Sequence, residues 1–184
     1  MQFKYLPNIL SFSRIVITPF FIIIMLKNTF YYKVCSFFIF SIASLSDFLD
    51  GYLARKYNNI SKIGKYIDPL ADKILTFSGF CMLHSFYPEV VKLWMLFIIF
   101  SRDLFVMILR NYLINNRKTL ETSFIAKIKT LLQIIVIHIF LLFHILYPAL
   151  IETTYFYFLM LFTVAITIVS SFTYLRFIRI NENY

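Results

Sequence analysis

Charge is what this chain has least of. Only 15% of its 184 residues are Asp, Glu, Lys or Arg, against about 25% in an ordinary soluble domain. Cysteine is nearly absent as well. Cys35 and Cys81 both lie inside apolar stretches, so no disulfide framework is indicated, and neither is a thiolate metal site. The chain carries no internal repeat and no low-complexity tail. What fills it instead is apolar: 60% of the residues are hydrophobic and 20% aromatic. A soluble fold of this size could not bury that much apolar surface, whereas a bilayer core about 30 Å thick needs runs of roughly 20 apolar residues.

Six such runs are present, at 7–26, 31–55, 68–87, 91–114, 123–147 and 153–178. Each is long enough for a tilted spanning helix at about 1.5 Å per residue. Tyr87-Pro88 and Tyr147-Pro148 punctuate the pattern, because the residue before proline avoids helical dihedrals. Asn58-Asn59 marks a third turn. The first run is interrupted by Arg14 and Pro19, and no small-residue cleavage site follows it, so it reads as a retained span rather than a secretion signal. The expected fold is one all-α integral membrane domain over residues 1–184 with six transmembrane helices.

The basic residues orient this bundle. The net charge is +9, but the cations stand at the ends of apolar runs, which favours anionic lipid over nucleic acid as their partner. Lys4, Arg55, Lys56, Lys62, Lys65, Arg117, Lys118, Arg176 and Arg179 fall in one set of connections. Only Lys27, Lys33 and Lys92 fall in the other. The positive-inside rule then puts the N and C termini, and the loops after spans two and four, in the cytoplasm.

Against this background the acids stand out. Of nine in the chain, Asp47, Asp50, Asp68 and Asp72 fall within one short stretch of sequence that covers the end of one apolar run and the start of the next. A carboxylate at membrane depth costs several kcal/mol unless it is paired or solvated, so it marks function by default. Asp47 and Asp50 are three apart and Asp68 and Asp72 four apart, so each pair shares a helix face. Gly51 and Ala54 put small side chains beside the first pair, with Arg55 at the edge. Two antiparallel helices joined by a short basic loop can bring the pairs together. Converging carboxylates repel unless they take up protons or bind cations. An all-oxygen donor set selects Mg²⁺, Mn²⁺ or Ca²⁺ over zinc, and two such ions suit phosphoryl transfer. Each acid alone has a plainer reading. Asp68 before Pro69 suits a helix N-cap, and Asp72-Lys73 suits a surface pair. Those readings leave the clustering unexplained. An ion-transport pathway would spread its acids over several helices at midplane, often with inverted repeats, and neither feature is present.

The spacing Asp47-x2-Asp50-Gly51-x2-Ala54-Arg55-x8-Gly64-x3-Asp68-x3-Asp72 resembles the signature of the CDP-alcohol phosphotransferase family at all of its fixed positions. The resemblance implies that Asp47, Asp50, Asp68 and Asp72 hold two divalent cations, Mg²⁺ or Mn²⁺. It implies that Asp72 takes the proton of the attacking hydroxyl, and that Gly51, Ala54, Arg55, Gly64 and Ser61 line the CDP site. The partners it implies are CDP-diacylglycerol, a small alcohol and a second copy of the chain. It places the enzyme in the bacterial inner membrane with the site on the cytoplasmic side.

Two patches bear on the alcohol. Arg102 and Arg110 in span four are eight residues apart, on similar faces. Lys127-x-Lys129-Thr130-x2-Gln133 opens span five. Asp103 points about 100° away from Arg102 around the helix, so a buried Arg102 is expected to seek another partner, and a substrate phosphate suits it. Lys127 and Lys129 also have a plainer reading as cytoplasmic anchors. The arrangement, with the opening Leu6-Pro7-Asn8-Ile9-Leu10-Ser11-x2-Arg14, resembles the bacterial phosphatidylglycerophosphate synthases of that family. It departs at Asp103, where Glu is usual, and at Ala126, where Gly often stands. Arg102, Arg110, Lys127 and Lys129 are the expected phosphate ligands and glycerol 3-phosphate the expected acceptor, ahead of phosphatidylglycerol, serine or inositol phosphate. His84, His138 and His144 are isolated and are expected to serve packing or hydrogen bonding.

Overall fold

In a computed structural model the backbone is described for residues 6–57, 64–115 and 124–181, and the side chains for 12–46, 70–71, 73–109, 113 and 124–172. Among the described residues the chain is all helical: α1 (Leu6–Leu26), α2 (Phe30–Tyr57), α3 (Gly64–Phe86), α4 (Leu93–Asn115), α5 (Phe124–Leu146), α6 (Pro148–Ile151) and α7 (Thr154–Asn181). The six apolar runs coincide with α1–α5 and α7. Phe124–Leu146 and Thr154–Phe172 are long and apolar enough to cross a membrane, and Phe12–Leu26 and Phe30–Ser46 are shorter apolar segments.

Three local features trace to sequence. Both X-Pro signals sit at helix ends: α3 stops at Phe86 before Tyr87-Pro88, and Pro148 opens the one-turn α6, where its missing N–H costs no helical bond. The α1–α2 turn is closed by Lys27 N donating to Ile24 O at 3.2 Å and Asn28 N to Met25 O at 3.1 Å. Asn28 takes φ 52° there, a left-handed conformation that asparagine tolerates better than most side chains. The third feature corrects an expectation. Helix α3 begins at Gly64, so Asp68 is one turn inside it and is not its N-cap. Pro69 is the sixth residue of the helix, past the free N–H groups of the first turn, so its missing N–H removes one helical bond. The expected turn at Asn58-Asn59 lies outside the described residues.

The chain forms two compact units, Met1–Met82 with His138–Pro148, and Leu83–Ile137 with Ala149–Tyr184. In the first, α1 packs on α2. Arg14, Thr18, Phe21 and Met25 are the buried stripe of α1, and Ser36, Phe40 and Ala43 that of α2. The steps of three and four are those of a single helix face. Phe21 and Phe40 meet with ring centroids 5.4 Å apart. The end of α5 in this unit sets His138 edge-on to Phe37 at 5.7 Å and to Phe40 at 5.1 Å. Ser41 Oγ donates to Phe37 O, so the 3.1 Å contact to His138 Nε2 is donated by the imidazole. His138 is thereby a packing residue with a satisfied polar edge.

In the second unit α4 packs on α7. Met95, Ile99, Asp103 and Val106 form the buried face of α4, and Phe156, Met160, Thr163, Thr167 and Ser170 that of α7. The α3–α4 connection is tied by Val90 N and Val91 N donating to Tyr87 O, and by a 2.7 Å bond from His84 Nδ1 to Val91 O. Burial, together with the charge of Glu152, pushes the Tyr87 phenol up to about 12. The opposite helix faces are apolar too. Phe97, Phe105 and Ile108 of α4, Leu131 and Leu142 of α5, and Phe158, Phe162 and Phe172 of α7 are exposed. A helix apolar all round belongs in a core or in lipid.

Candidate functional site

The motif residues divide between two helices of the first unit. Asp47, Asp50, Gly51, Ala54 and Arg55 are helical near the end of α2, and Gly64, Asp68 and Asp72 lie in the first turns of α3. Their side chains, like that of Arg110 in α4, lie outside the described set, and Ser61 lies outside the described residues altogether. The i,i+3 and i,i+4 spacings therefore do fall on helices, as the shared-face argument requires. Among the described residues no three His, Cys, Asp or Glu side chains group closely enough to hold a metal, so they offer no competing centre.

The second unit holds a described ion cluster of its own. Asp103 of α4 is 6% exposed and Lys129 of α5 is 1% exposed. Lys129 Nζ bonds Asp103 Oδ1, and Arg102 Nη1 donates to the same oxygen at 3.1 Å. This corrects the expectation that Asp103 points away from Arg102. The Cβ vectors diverge by about 100°, but the long guanidinium stem curls back to reach its neighbour. Asp103 is thus the hub of two cations, a half-buried one from its own helix and a buried one from α5. Lys127 does not join them. It is exposed and lies two residues, about 200°, around α5 from Lys129, as a helix-end anchor would.

One turn beyond Lys129, the wholly buried Gln133 donates from Nε2 to Thr167 Oγ1 of α7 at 3.4 Å. Thr167 in turn donates to Thr163 O at 2.8 Å. Sequence reasoning placed Gln133 in the patch that opens span five but foresaw neither its bond to Thr167 nor that of Asp103 to Lys129. Gln133 was detectable at i+4 from Lys129, but the partner of Asp103 is 26 residues away in sequence, where no spacing rule reaches.

Truncation tests the hub. Asp103→Ala strands two cations, and breaking a buried pair in this way costs about 3–5 kcal/mol. The unfolding midpoint of the detergent-solubilised protein is expected to fall by roughly 10 °C. Lys129→Met leaves Asp103 paired with Arg102, so its fall should be clearly smaller. Equal shifts would mean that Asp103 is not shared.

Comparison with known proteins adds the family. The model of a family described as CDP-alcohol phosphatidyltransferase matches residues 4–169. The chain is 35% identical over 149 residues to a Bacillus subtilis (strain 168) protein named CDP-diacylglycerol–glycerol-3-phosphate 3-phosphatidyltransferase, covering 74% of this chain and 76% of that one. It is 34% identical over 139 residues to the protein of the same name from Rickettsia typhi, with 76% and 77% covered. It is 34% identical over 125 residues to the one from Aquifex aeolicus, with 68% of each covered.

Proposed function

The chain belongs to the CDP-alcohol phosphatidyltransferase family, and from that premise we propose that it transfers the phosphatidyl group of CDP-diacylglycerol to glycerol 3-phosphate, releasing CMP. The observation that carries this is the complete Asp47-to-Asp72 motif on α2 and α3 of a chain whose matched relatives bear that activity in their names. The donor is a lipid, and the exposed faces of α4, α5 and α7 are apolar enough to share its bilayer.

The reaction forms one bond and breaks one. The acceptor hydroxyl oxygen attacks the phosphorus attached to diacylglycerol, and the bond from that phosphorus to the bridging oxygen breaks, so that CMP departs with it. The hydroxyl proton goes to the Asp72 carboxylate and then to solvent. A positioned base of this kind contributes about 10²–10⁴-fold. Asp47, Asp50, Asp68 and Asp72 form an all-oxygen donor set that fits two Mg²⁺ or Mn²⁺ ions. Bound there, the ions would neutralise charge building on the phosphate oxygens. Gly51, Ala54, Gly64 and Ser61 leave room for cytidine and the pyrophosphate, and Arg55 offers it a cation. Arg102 and Lys129, aligned by Asp103, hold the phosphate of the acceptor, with Arg110 on a similar face of α4.

The same reading takes the whole chain as one catalytic domain of six spans in a bacterial cytoplasmic membrane, with both termini and the site on the cytoplasmic side. The charge asymmetry of the connections supports that orientation. A homodimer is carried from the family alone.

An acceptor panel tests the proposal. Purified enzyme given CDP-diacylglycerol is expected to release CMP at least tenfold faster with glycerol 3-phosphate than with phosphatidylglycerol, serine or inositol phosphate, at about 1.4 kcal/mol of barrier per tenfold. Faster release with any of the other three would reassign the acceptor while leaving the donor chemistry in place.

A further inference from the structure

Gln133 is wholly buried, and its Oε1 has no hydrogen-bond partner among the described residues. The orientation of its amide is fixed by its neighbour. Thr167 Oγ1 spends its proton on Thr163 O, so it can only accept from Gln133, and Nε2 is the end that faces it. The other end of the amide is left as a bare acceptor inside the second unit. Buried polar atoms are nearly always satisfied, and one that is not calls for a donor. The partner must bring an O–H or N–H, since Oε1 can only accept.

Its position says which molecule brings that donor. Gln133 follows Lys129 by four residues on α5, about 6 Å along the axis and on the same face. Both side chains are buried. The strip therefore presents a cationic end, Lys129 with Arg102 held by Asp103, and a hydroxyl-accepting end one turn away. A short polyol phosphate matches it in length and polarity. The primary hydroxyl of glycerol 3-phosphate is the less hindered nucleophile, which leaves its secondary hydroxyl free to be recognised.

We propose that Gln133 Oε1 accepts a hydrogen bond from the secondary hydroxyl of the acceptor, and so makes Gln133 the specificity-determining residue for a polyol phosphate over a simple alcohol phosphate. The proposal rests on the glycerol 3-phosphate reading above. Thr167 is a positioning residue: by accepting from Nε2 it keeps Oε1 turned to the ligand. A site built to bond a substrate hydroxyl rejects the analogue lacking it much more strongly than an apolar pocket rejects an added group.

The experiment compares glycerol 3-phosphate with 3-hydroxypropyl phosphate, which has the same phosphate and a primary hydroxyl but no secondary one. CMP release from CDP-diacylglycerol is read as kcat/KM for each acceptor. The wild-type chain is expected to prefer glycerol 3-phosphate at least about tenfold. Gln133→Leu is expected to bring the ratio near one, mostly by loss on glycerol 3-phosphate. Thr167→Val is expected to reduce the ratio by less, because Oε1 is retained. The ratio is internal to each protein, so a smaller folded fraction cancels from it. The wild-type ratio stands even where a variant fails to fold. Wild-type rates equal for the two phosphates would overturn the assignment, as they would if water held Oε1. An unchanged ratio in folded Gln133→Leu would overturn it too. If neither phosphate reacts while another alcohol does, the glycerol 3-phosphate reading itself falls, and this assignment with it.

Discussion

Replacing Asp72 by asparagine is expected to lower CMP release by at least two orders of magnitude while the protein stays folded. Asparagine matches aspartate in shape, so packing around the start of α3 changes little. It cannot take a proton, and it removes one charge from the donor set. Loss of a positioned base alone costs about 10²–10⁴-fold, and weaker cation binding adds to that. Folding is monitored by the detergent unfolding midpoint, which should move by no more than a few degrees. Easing mutual repulsion among four carboxylates could even raise it. Undiminished turnover in a folded Asp72→Asn chain would remove Asp72 as the base. A midpoint collapse of the size expected for Asp103→Ala would make Asp72 a structural residue instead.

Removing divalent cations has the second large effect, and the acids of α2 and α3 dictate its form. In the proposed site, carboxylates brought together from the two helices cannot all stay ionised without cations. Stripped of them, the site is expected to take up protons and lose its hold on the pyrophosphate. Turnover should fall to background on exhaustive chelation. It should return with Mg²⁺ or Mn²⁺, the hard ions an oxygen-only set prefers, whereas Zn²⁺ should restore it poorly. Because free carboxylates bind protons and metal competitively, the concentration of Mg²⁺ needed for half recovery should rise as pH falls.

How much of this was legible without coordinates differs from element to element. The helices were, because a bilayer demands long apolar runs and proline marks their ends: Pro88 and Pro148 bracket α3 and α5 to within a residue or two. The four-residue α6 was not, since one turn is too short to show a period. The start of α3 was misplaced because Asp68-Pro69 imitates a capped first turn, whereas the helix begins four residues earlier at Gly64. Local sequence rules rank caps by residue type and cannot see the packing that extends a helix past one.

The site splits along the same line. That the four aspartates stand on two helices, α2 and α3, was legible because acids are rare in this chain and their spacings are local to one helix each. The ion hub was not. An angle of about 100° between neighbours argued against an Arg102–Asp103 pair, but that rule describes Cβ directions, and a guanidinium on a three-carbon stem has reach beyond it. Lys129 found its carboxylate on another helix, and Gln133 found Thr167 34 residues away. Contacts of that range come from helix packing, and the sequence carries only their raw material, polar side chains on otherwise apolar stripes.

Counting bound ions tests the central claim most directly, because it asks about the acids themselves without relying on turnover. Equilibrium dialysis of the purified chain against Mn²⁺, with free ion read by its paramagnetic resonance, should give about two saturable sites per chain. A chain in which Asp47, Asp50, Asp68 and Asp72 are all changed to asparagine should show none. Wild-type protein that releases CMP yet binds no Mn²⁺ saturably, or binds it equally well without those four carboxylates, would contradict the account.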